Sequence, residues 1–198
     1  MVTTSNKGAL RKDEILNAAR KRLLTLGYAG LSVRDVAKTV GISIGNLQYY
    51  FPTKEDLVAS VIEAEFESNL LTLSDVDWSE EDIDTSVFNV VSKLLYHFSG
   101  AAGQLYLITG FLALTDTKFQ TLLSSGYGAT FNSVGDALTQ LAAKRSKNDQ
   151  PELTSVIVAL FDGAVLQLQS IQAGNRRAEI DRMCARISSA IITLIEAD

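Results

Sequence analysis

The sequence predicts an all-α protein, and three observations carry that prediction. Apolar residues recur at helical spacing along almost the whole chain, alternating strand-like runs are absent, and proline interrupts the pattern only at Pro52 and Pro151. Of 198 residues, 46% are hydrophobic and 21% charged, which is ordinary for a globular protein. That length suits a small N-terminal domain, residues 1–57, joined to a larger helical one, residues 58–198. About nine helices are expected.

Residues 1–9 read as a flexible polar arm. From Arg11 to Leu26 the residues Ile15, Ala18, Ala19, Leu23 and Leu26 hold helical period, and Gly27 ends that helix by tolerating a left-handed backbone. Ser32-Val-Arg-Asp35 is a capping box, so a second helix starts at Val33 and runs to about Val40. Gly41 makes a turn, Ser43 caps a third helix that reaches Phe51, and Pro52 stops it. Thr53-Lys-Glu-Asp56 is a second capping box, and it opens a fourth helix to about Leu71.

Residues 72–84 form an acidic connector around the lone Trp78. The helix after it carries Val87, Val90, Val91, Leu94, Leu95 and Phe98 and ends at Gly100. The next, about 102–114, contains Leu105, Leu107, Ile108, Phe111, Leu112 and Leu114. A longer one runs from about Lys118 to Lys144, with a weak point at Gly126-Tyr-Gly128. After a polar loop, Pro151 fits the first position of a helix over 152–173, and the last helix covers 178–196.

Charge and cysteine narrow the function. Residues 1–57 hold nine Lys and Arg against five Asp and Glu, whereas residues 58–198 hold nine against eighteen. A basic head before an acidic body keeps phosphate attraction local to the head. The single cysteine, Cys184, excludes an internal disulfide and fits a reducing cytoplasm. No apolar stretch approaches the roughly 18 residues of a membrane span, and the first twelve residues have no signal-peptide core. With one histidine and one cysteine there is no Cys/His couple and no metal-ligand spacing, so neither an enzyme nor a cofactor is expected.

The helices about Gly41 have the form of a helix-turn-helix, in which a first helix braces the backbone and a second enters the major groove. Ala37, Gly41 and Gly45 are small enough for a close crossing, and Val36, Val40, Ile42, Leu47 and Phe51 would make the inner core. Ser43, Ile44, Gly45, Asn46, Gln48 and Tyr49 then face outward. Asn46 and Gln48 carry the paired donor and acceptor that suit base edges, and Ile44 suits a thymine methyl. Ser32 and Ser43 can offer hydroxyl or helix-terminus contacts to phosphates, Gly45 allows close backbone approach, and Arg34, Tyr49, Tyr50 and Lys54 suit backbone clamps. Tyr50 also has a packing role open to it beside Phe51, and Asn46 a local capping role after Ser43.

Residues 11–57 resemble the TetR family of bacterial transcriptional regulators. The resemblance rests on Ile15-Leu-x-Ala-Ala19, Gly27, Leu31-Ser-Val33, Val36-Ala37, Val40-Gly-Ile-Ser43, Gly45, Leu47, Tyr50-Phe51, Lys54 and Leu57 in order. Family members often carry tyrosine where this chain has Gln48. The resemblance implies a homodimer on a palindromic DNA operator, with a C-terminal small-molecule pocket whose occupation releases DNA, most often in repression.

In the larger domain, Phe66, Tyr96, His97, Tyr106, Phe111, Tyr127, Phe131 and Phe161 are the candidates to line an aromatic effector cavity. Val156, Leu160, Gly163, Gln167, Met183, Ile187 and Ile191 on the last two helices are the candidates for a four-helix dimer interface. Cys184 either packs there or senses redox state. A helical DNA-binding protein without a small-molecule effector, controlled by a protein partner or constitutively bound, is the alternative.

Overall fold

The computed structural model describes residues 4–74, 82–142, 150–171 and 173–196, with side chains placed for 8–69, 82–140, 151–171 and 174–196. Trp78, most of the acidic connector and most of the loop before Pro151 lie outside these residues. Among the described residues there are nine α-helices and no strand. They are α1 (Thr4–Gly30), α2 (Val33–Val40), α3 (Ile44–Tyr50), α4 (Lys54–Ser74), α5 (Ile83–Phe98), α6 (Ala101–Ala113), α7 (Thr117–Ala142), α8 (Gln150–Ser170) and α9 (Arg176–Glu196). The all-α prediction and its helix number are met.

Several boundaries moved, each for a local reason. The helix begins at Thr4 where an irregular arm was expected, because no proline precedes Arg11 and Lys7, Ala9 and Leu10 are good helix formers. Gly27 breaks the regular geometry as predicted, at φ 68° and ψ 178°, but a further helical turn follows to Gly30. Both ends of the acidic connector are helical: α4 extends to Ser74, and Asp82 caps α5 by accepting the Asp84 and Thr85 amides at 3.0 and 3.1 Å. Gly126 and Gly128 do not interrupt α7.

The chain divides into two compact units, residues 1–66 with 108–123 and residues 67–107 with 124–198. The first unit therefore reaches beyond residue 57 and recruits a distant segment. Its core explains why: Leu57, Val58, Val61 and Ile62 of α4 and Phe119 of α7 are all at most 2% exposed, as are Ile15, Leu23, Val36 and Leu47. Burial of those side chains is worth about 1.5–3 kcal/mol each.

In this unit α2 ends in a Schellman motif. Gly41 N–H donates to Lys38 O at 3.2 Å and Ile42 N–H to Ala37 O at 3.0 Å, with Gly41 left-handed at φ 73°, ψ 33°. Gly45 plays no such part, since a Cβ there would meet nothing within 4 Å. Val40 and Ile42 are half-buried rather than core. The Thr53 box is complete: Asp56 N–H donates to Thr53 Oγ1 and Thr53 N–H to Asp56 Oδ2, each at 3.0 Å. The Ser32 box is looser, with Asp35 N–H 3.4 Å from Ser32 Oγ and the Asp35 carboxylate held by Arg22 at 2.8 Å.

The second unit is built on α5, α8 and α9 around Val87, Val91, Leu95, Leu138, Ile157, Ala164, Leu168, Ile180, Cys184 and Ile191. Two expectations change here. Ile191, placed by sequence at a dimer interface, is 5% exposed in this core, and Met183, Ile187 and Leu160 pack against it. The α9 stripe is inward because its apolar residues are the ones that meet α5. Cys184 is 1% exposed in the same core, and burial pushes its thiol pKa up, which suits packing rather than redox sensing. Further, α8 is long and apolar enough to cross a membrane by length and composition, with mean hydropathy 1.4 over Pro151–Ser170. Val, Ile, Leu and Phe residues spread over several of its faces produce that average, and its inner face lies in the core.

Candidate nucleic-acid interface and carboxylate cluster

Two turns of helix do not persist in water through their own hydrogen bonds, so α3 depends on its ends and its buried face. Ser43 is extended at its start and accepts Asn46 N–H on Oγ at 3.2 Å. Leu47 is fully buried, and Phe51 at the far end is 2% exposed. Nearly everything else on α3 meets solvent: Ile44, Gly45, Asn46, Gln48 and Tyr49 are exposed, Tyr49 to 83%. Local capping uses only the backbone N–H of Asn46, so its carboxamide stays on the outer surface.

The flanking candidates fall into different roles. Tyr50 is half-buried, edge-on to Tyr49 at 5.4 Å between centroids and tilted on Phe51 at 6.5 Å, so it packs as well as borders the surface. Arg34 is exposed, whereas Ser32 is half-buried and caps α2. Lys54 Nζ sits 4.3 Å from the centre of the Tyr28 ring, a cation–π contact that holds it at the edge of the surface.

A polar frame that the sequence reading did not single out fixes this head. Arg20 grips Glu65 through Nε and Nη2 at 2.9 and 3.2 Å. Tyr28 donates to Glu55 at 2.7 Å and meets Phe119 edge-on at 6.1 Å. Burial, then the bond to Glu55, pushes the Tyr28 pKa up to about 12, and the same phenol lowers that of Glu55. Lys118 pairs with Asp56 beside a groove of about 650 Å³ that is also lined by Tyr50, Phe51, Pro52, Ala59, Ser60, Glu63 and Leu122. These partners lie 27 or more positions apart in the chain, which no local pattern reveals.

The aromatic candidates of the larger domain separate. Phe111 is 72% exposed and so lines no interior cavity; it stands near the end of α6 on a face of the first unit. Phe66 is half-buried in that first unit too. Tyr96 is 42% exposed and donates to Asp181 of α9, which raises its pKa, while His97 meets Asn69 at 2.6 Å.

Tyr106, Tyr127 and Phe131 do come together, and Asp162 joins them. Tyr106 donates to Asp162 Oδ1 at 2.7 Å and Tyr127 to Oδ2 at 2.6 Å, and the two phenol oxygens touch. Phe98, Tyr106, Tyr127 and Phe131 form a row with centroids 6.2–6.3 Å apart. Burial, then these hydrogen bonds, pushes the Tyr106 pKa far up; Tyr127 is raised by burial and by Asp162. Tyr106, Tyr127, Phe131 and Asp162 are half-buried, whereas Phe161, also half-buried, packs against the core of the second unit. Gly103 makes the approach of α6 possible, because a Cβ there would lie 2.0 Å from Phe98 O. Asp162 was legible as a lone acid in the apolar run Val156–Leu168, a position that demands a partner.

Among the described residues, no three His, Cys, Asp or Glu side chains converge as a metal site.

Residues 15–61 match the family described as bacterial regulatory proteins, tetR family. The HTH-type transcriptional regulator PksA of Bacillus subtilis (strain 168) is 39% identical over 49 residues, which is 25% of this chain and 24% of that protein. The HTH-type transcriptional repressor KstR2 of Mycolicibacterium smegmatis is 36% identical over 59 residues, 30% of this chain and 29% of its own. The chain thus matches between about a quarter and a third of these curated relatives' length. Among solved structures, Salmonella enterica GusR superposes with a TM-score of 0.78 at 16% identity and covers 98% of each chain. A transcriptional regulator from Rhodococcus sp. Rha1 gives 0.78 at 19% identity, over 92% of this chain and 96% of that one. At such identities the likeness is one of fold.

Proposed function

We propose that this chain, whose residues 15–61 match the tetR family of bacterial regulatory proteins, is a dimeric, effector-released repressor of that family. The single observation that carries the DNA-binding part is α3: a short helix held by Leu47 and the Ser43 cap, with its amide and phenol side chains turned to solvent. Asn46 and Gln48 read base edges, and Ile44 touches thymine methyls. Tyr49, Arg34 and Lys54 hold phosphates, with Ser32, Ser43, Gly45 and Tyr50 at the contact margin. The basic excess of residues 1–57 supplies the phosphate attraction.

Dimerisation follows from what one helix can read. A single α3 covers too few base pairs, and two related by a two-fold read half-sites about 34–36 Å apart. Support for the interface comes from α8: Pro151–Ser170 has the hydropathy of a membrane span, yet only 33% of that window is buried in the chain. Val156 is 45% and Leu166 61% exposed, Ala159 and Gln167 are exposed too, and Gly163 lies between them. A second copy covers this face, with Leu166 in place of the inward Ile191.

Release requires an effector that binds one dimer conformation better than another. Helices α4, α6 and α7 each contribute residues to both compact units, so they are the elements through which occupation of the second unit reaches the first. In this reading the chain regulates and does not catalyse. The test is enrichment of genomic DNA fragments on the full chain, followed by titration of the recovered site. A shared palindrome bound by two copies is expected. Fragments with no common sequence, or a chain that remains monomeric on its best fragment, would refute the proposal.

A further inference from the structure

The Asp162 cluster has a chemical polarity that selects among ligands. Each carboxylate oxygen of Asp162 faces one phenol, Oδ1 that of Tyr106 and Oδ2 that of Tyr127, and because the two phenol oxygens also touch, at most two protons reach Asp162. What the cluster still offers an incoming molecule is therefore acceptor capacity, since a carboxylate has about four lone-pair sites and two phenols occupy two. It also offers aromatic surface, whose faces are electron-rich. Among the described residues no Lys, Arg or His stands within ion-pairing distance of Asp162. The residues from 58 onward carry a net acidic excess, so the surrounding field has the same sign. The rings lie in a row, edge-on at 79° for Phe98–Tyr106 and 72° for Tyr106–Tyr127 and tilted at 40° for Tyr127–Phe131, so aromatic surface is concentrated beside the carboxylate.

We propose that this cluster is a binding site for an organic cation, an amine or quaternary ammonium. Its charge lies against Asp162, and its alkyl groups lie against Tyr106, Tyr127, Phe98 and Phe131. The proposal rests on the effector-responsive reading above for its consequence on DNA, but the site itself does not. An anionic ligand would meet a carboxylate with no proton to share. A neutral apolar ligand would leave the Asp162 charge partly desolvated without a counter-charge. A cation satisfies both the charge and the π faces, and cation–π contacts strengthen as water is excluded.

The test uses the full chain and calorimetric titration with four probes. Tetraethylammonium and benzyltrimethylammonium are the cations, neopentylbenzene is the neutral isostere of the second, and benzoate is the anion. At least one cation is expected to bind with a Kd of about 1 mM or tighter, a free energy of about −4 kcal/mol. Asp162→Asn should weaken it at least about tenfold, the loss of one charge partner in a half-buried site. Phe131→Leu should lower the preference for cation over neutral isostere, which loss of packing alone would not do. If Asp162→Asn fails to fold, Tyr127→Phe replaces it: with one donor fewer on Asp162, cation binding persists or tightens. Equal binding of neutral and cationic probes, no cation binding, or tetraethylammonium affinity unchanged in Asp162→Asn would overturn the proposal. The two readings separate on recovered operator DNA. A bound cation that leaves the DNA complex intact defeats the effector reading and spares the site. A non-cationic effector that releases the chain from DNA, together with no Asp162-dependent cation binding, does the reverse.

Discussion

Gly27 and Gly41 are both left-handed in φ, at 68° and 73°, and a Cβ at either would meet nothing within 4 Å. Any cost of substitution is therefore conformational and not steric. The two differ in ψ, which is 33° at Gly41 and 178° at Gly27. The first pair is the ordinary left-handed helical region, where an L-residue costs about 1–2 kcal/mol. The second is a region open essentially to glycine, with costs of about 1–3 kcal/mol. Replacing glycine also stiffens the unfolded chain and returns about 0.4–1 kcal/mol. Gly41→Ala should then destabilise by about 0.5–1.5 kcal/mol and Gly27→Ala by about 1–2 kcal/mol. Asparagine separates the mechanisms, because it is enriched in the left-handed helical region. Gly41→Asn should recover most of the loss, and Gly27→Asn should not. Urea denaturation of the full chain, with hydrogen exchange of the 33–50 amides to locate the effect, reads both. Equal rescue by asparagine at the two positions would refute the reasoning, as would a Gly41→Ala chain as stable as its parent.

Three further outcomes follow from the first unit. Arg20→Ala strands Glu65, which is 9% exposed; the partly exposed arginine moderates the loss to about 1–3 kcal/mol, and adding Glu65→Gln should restore part of it in a double-mutant cycle. Tyr28 is neutral in the folded state up to about pH 12 but ionises near its ordinary value when unfolded. Its contribution is fully present below about pH 10 and is lost as pH rises towards 12, by about 1–2 kcal/mol after screening; Tyr28→Phe should flatten that alkaline limb in pH-dependent melting. On DNA, Tyr49→Phe should weaken operator and non-operator fragments alike and lower the salt slope, whereas Gln48→Ala should relax sequence preference. Titrations across several salts that show equal loss of discrimination in both variants would overturn that division.

Helix period, two prolines, the Schellman glycine and the Thr53–Asp56 box were enough to determine from sequence that the chain is all-α and that α2 and α3 stand where they do. These are local signals, each spending its information within about one turn of the residue that carries it. The order of motifs over residues 11–57 carried the resemblance to the TetR family, and residues 15–61 match that family. The tertiary structure alone decided which partners meet across distance. It gave α4 residues 58–66 to the head, turned Ile191 from a surface to a core, and left Phe111 in solvent. It also brought Tyr106, Tyr127 and Asp162 from three helices onto one carboxylate. Helical period says that a face is apolar but not what covers it, and hydrogen bonds between residues 35 or 56 positions apart leave no trace in either neighbourhood. Which face each helix buries is settled only when the others are packed against it.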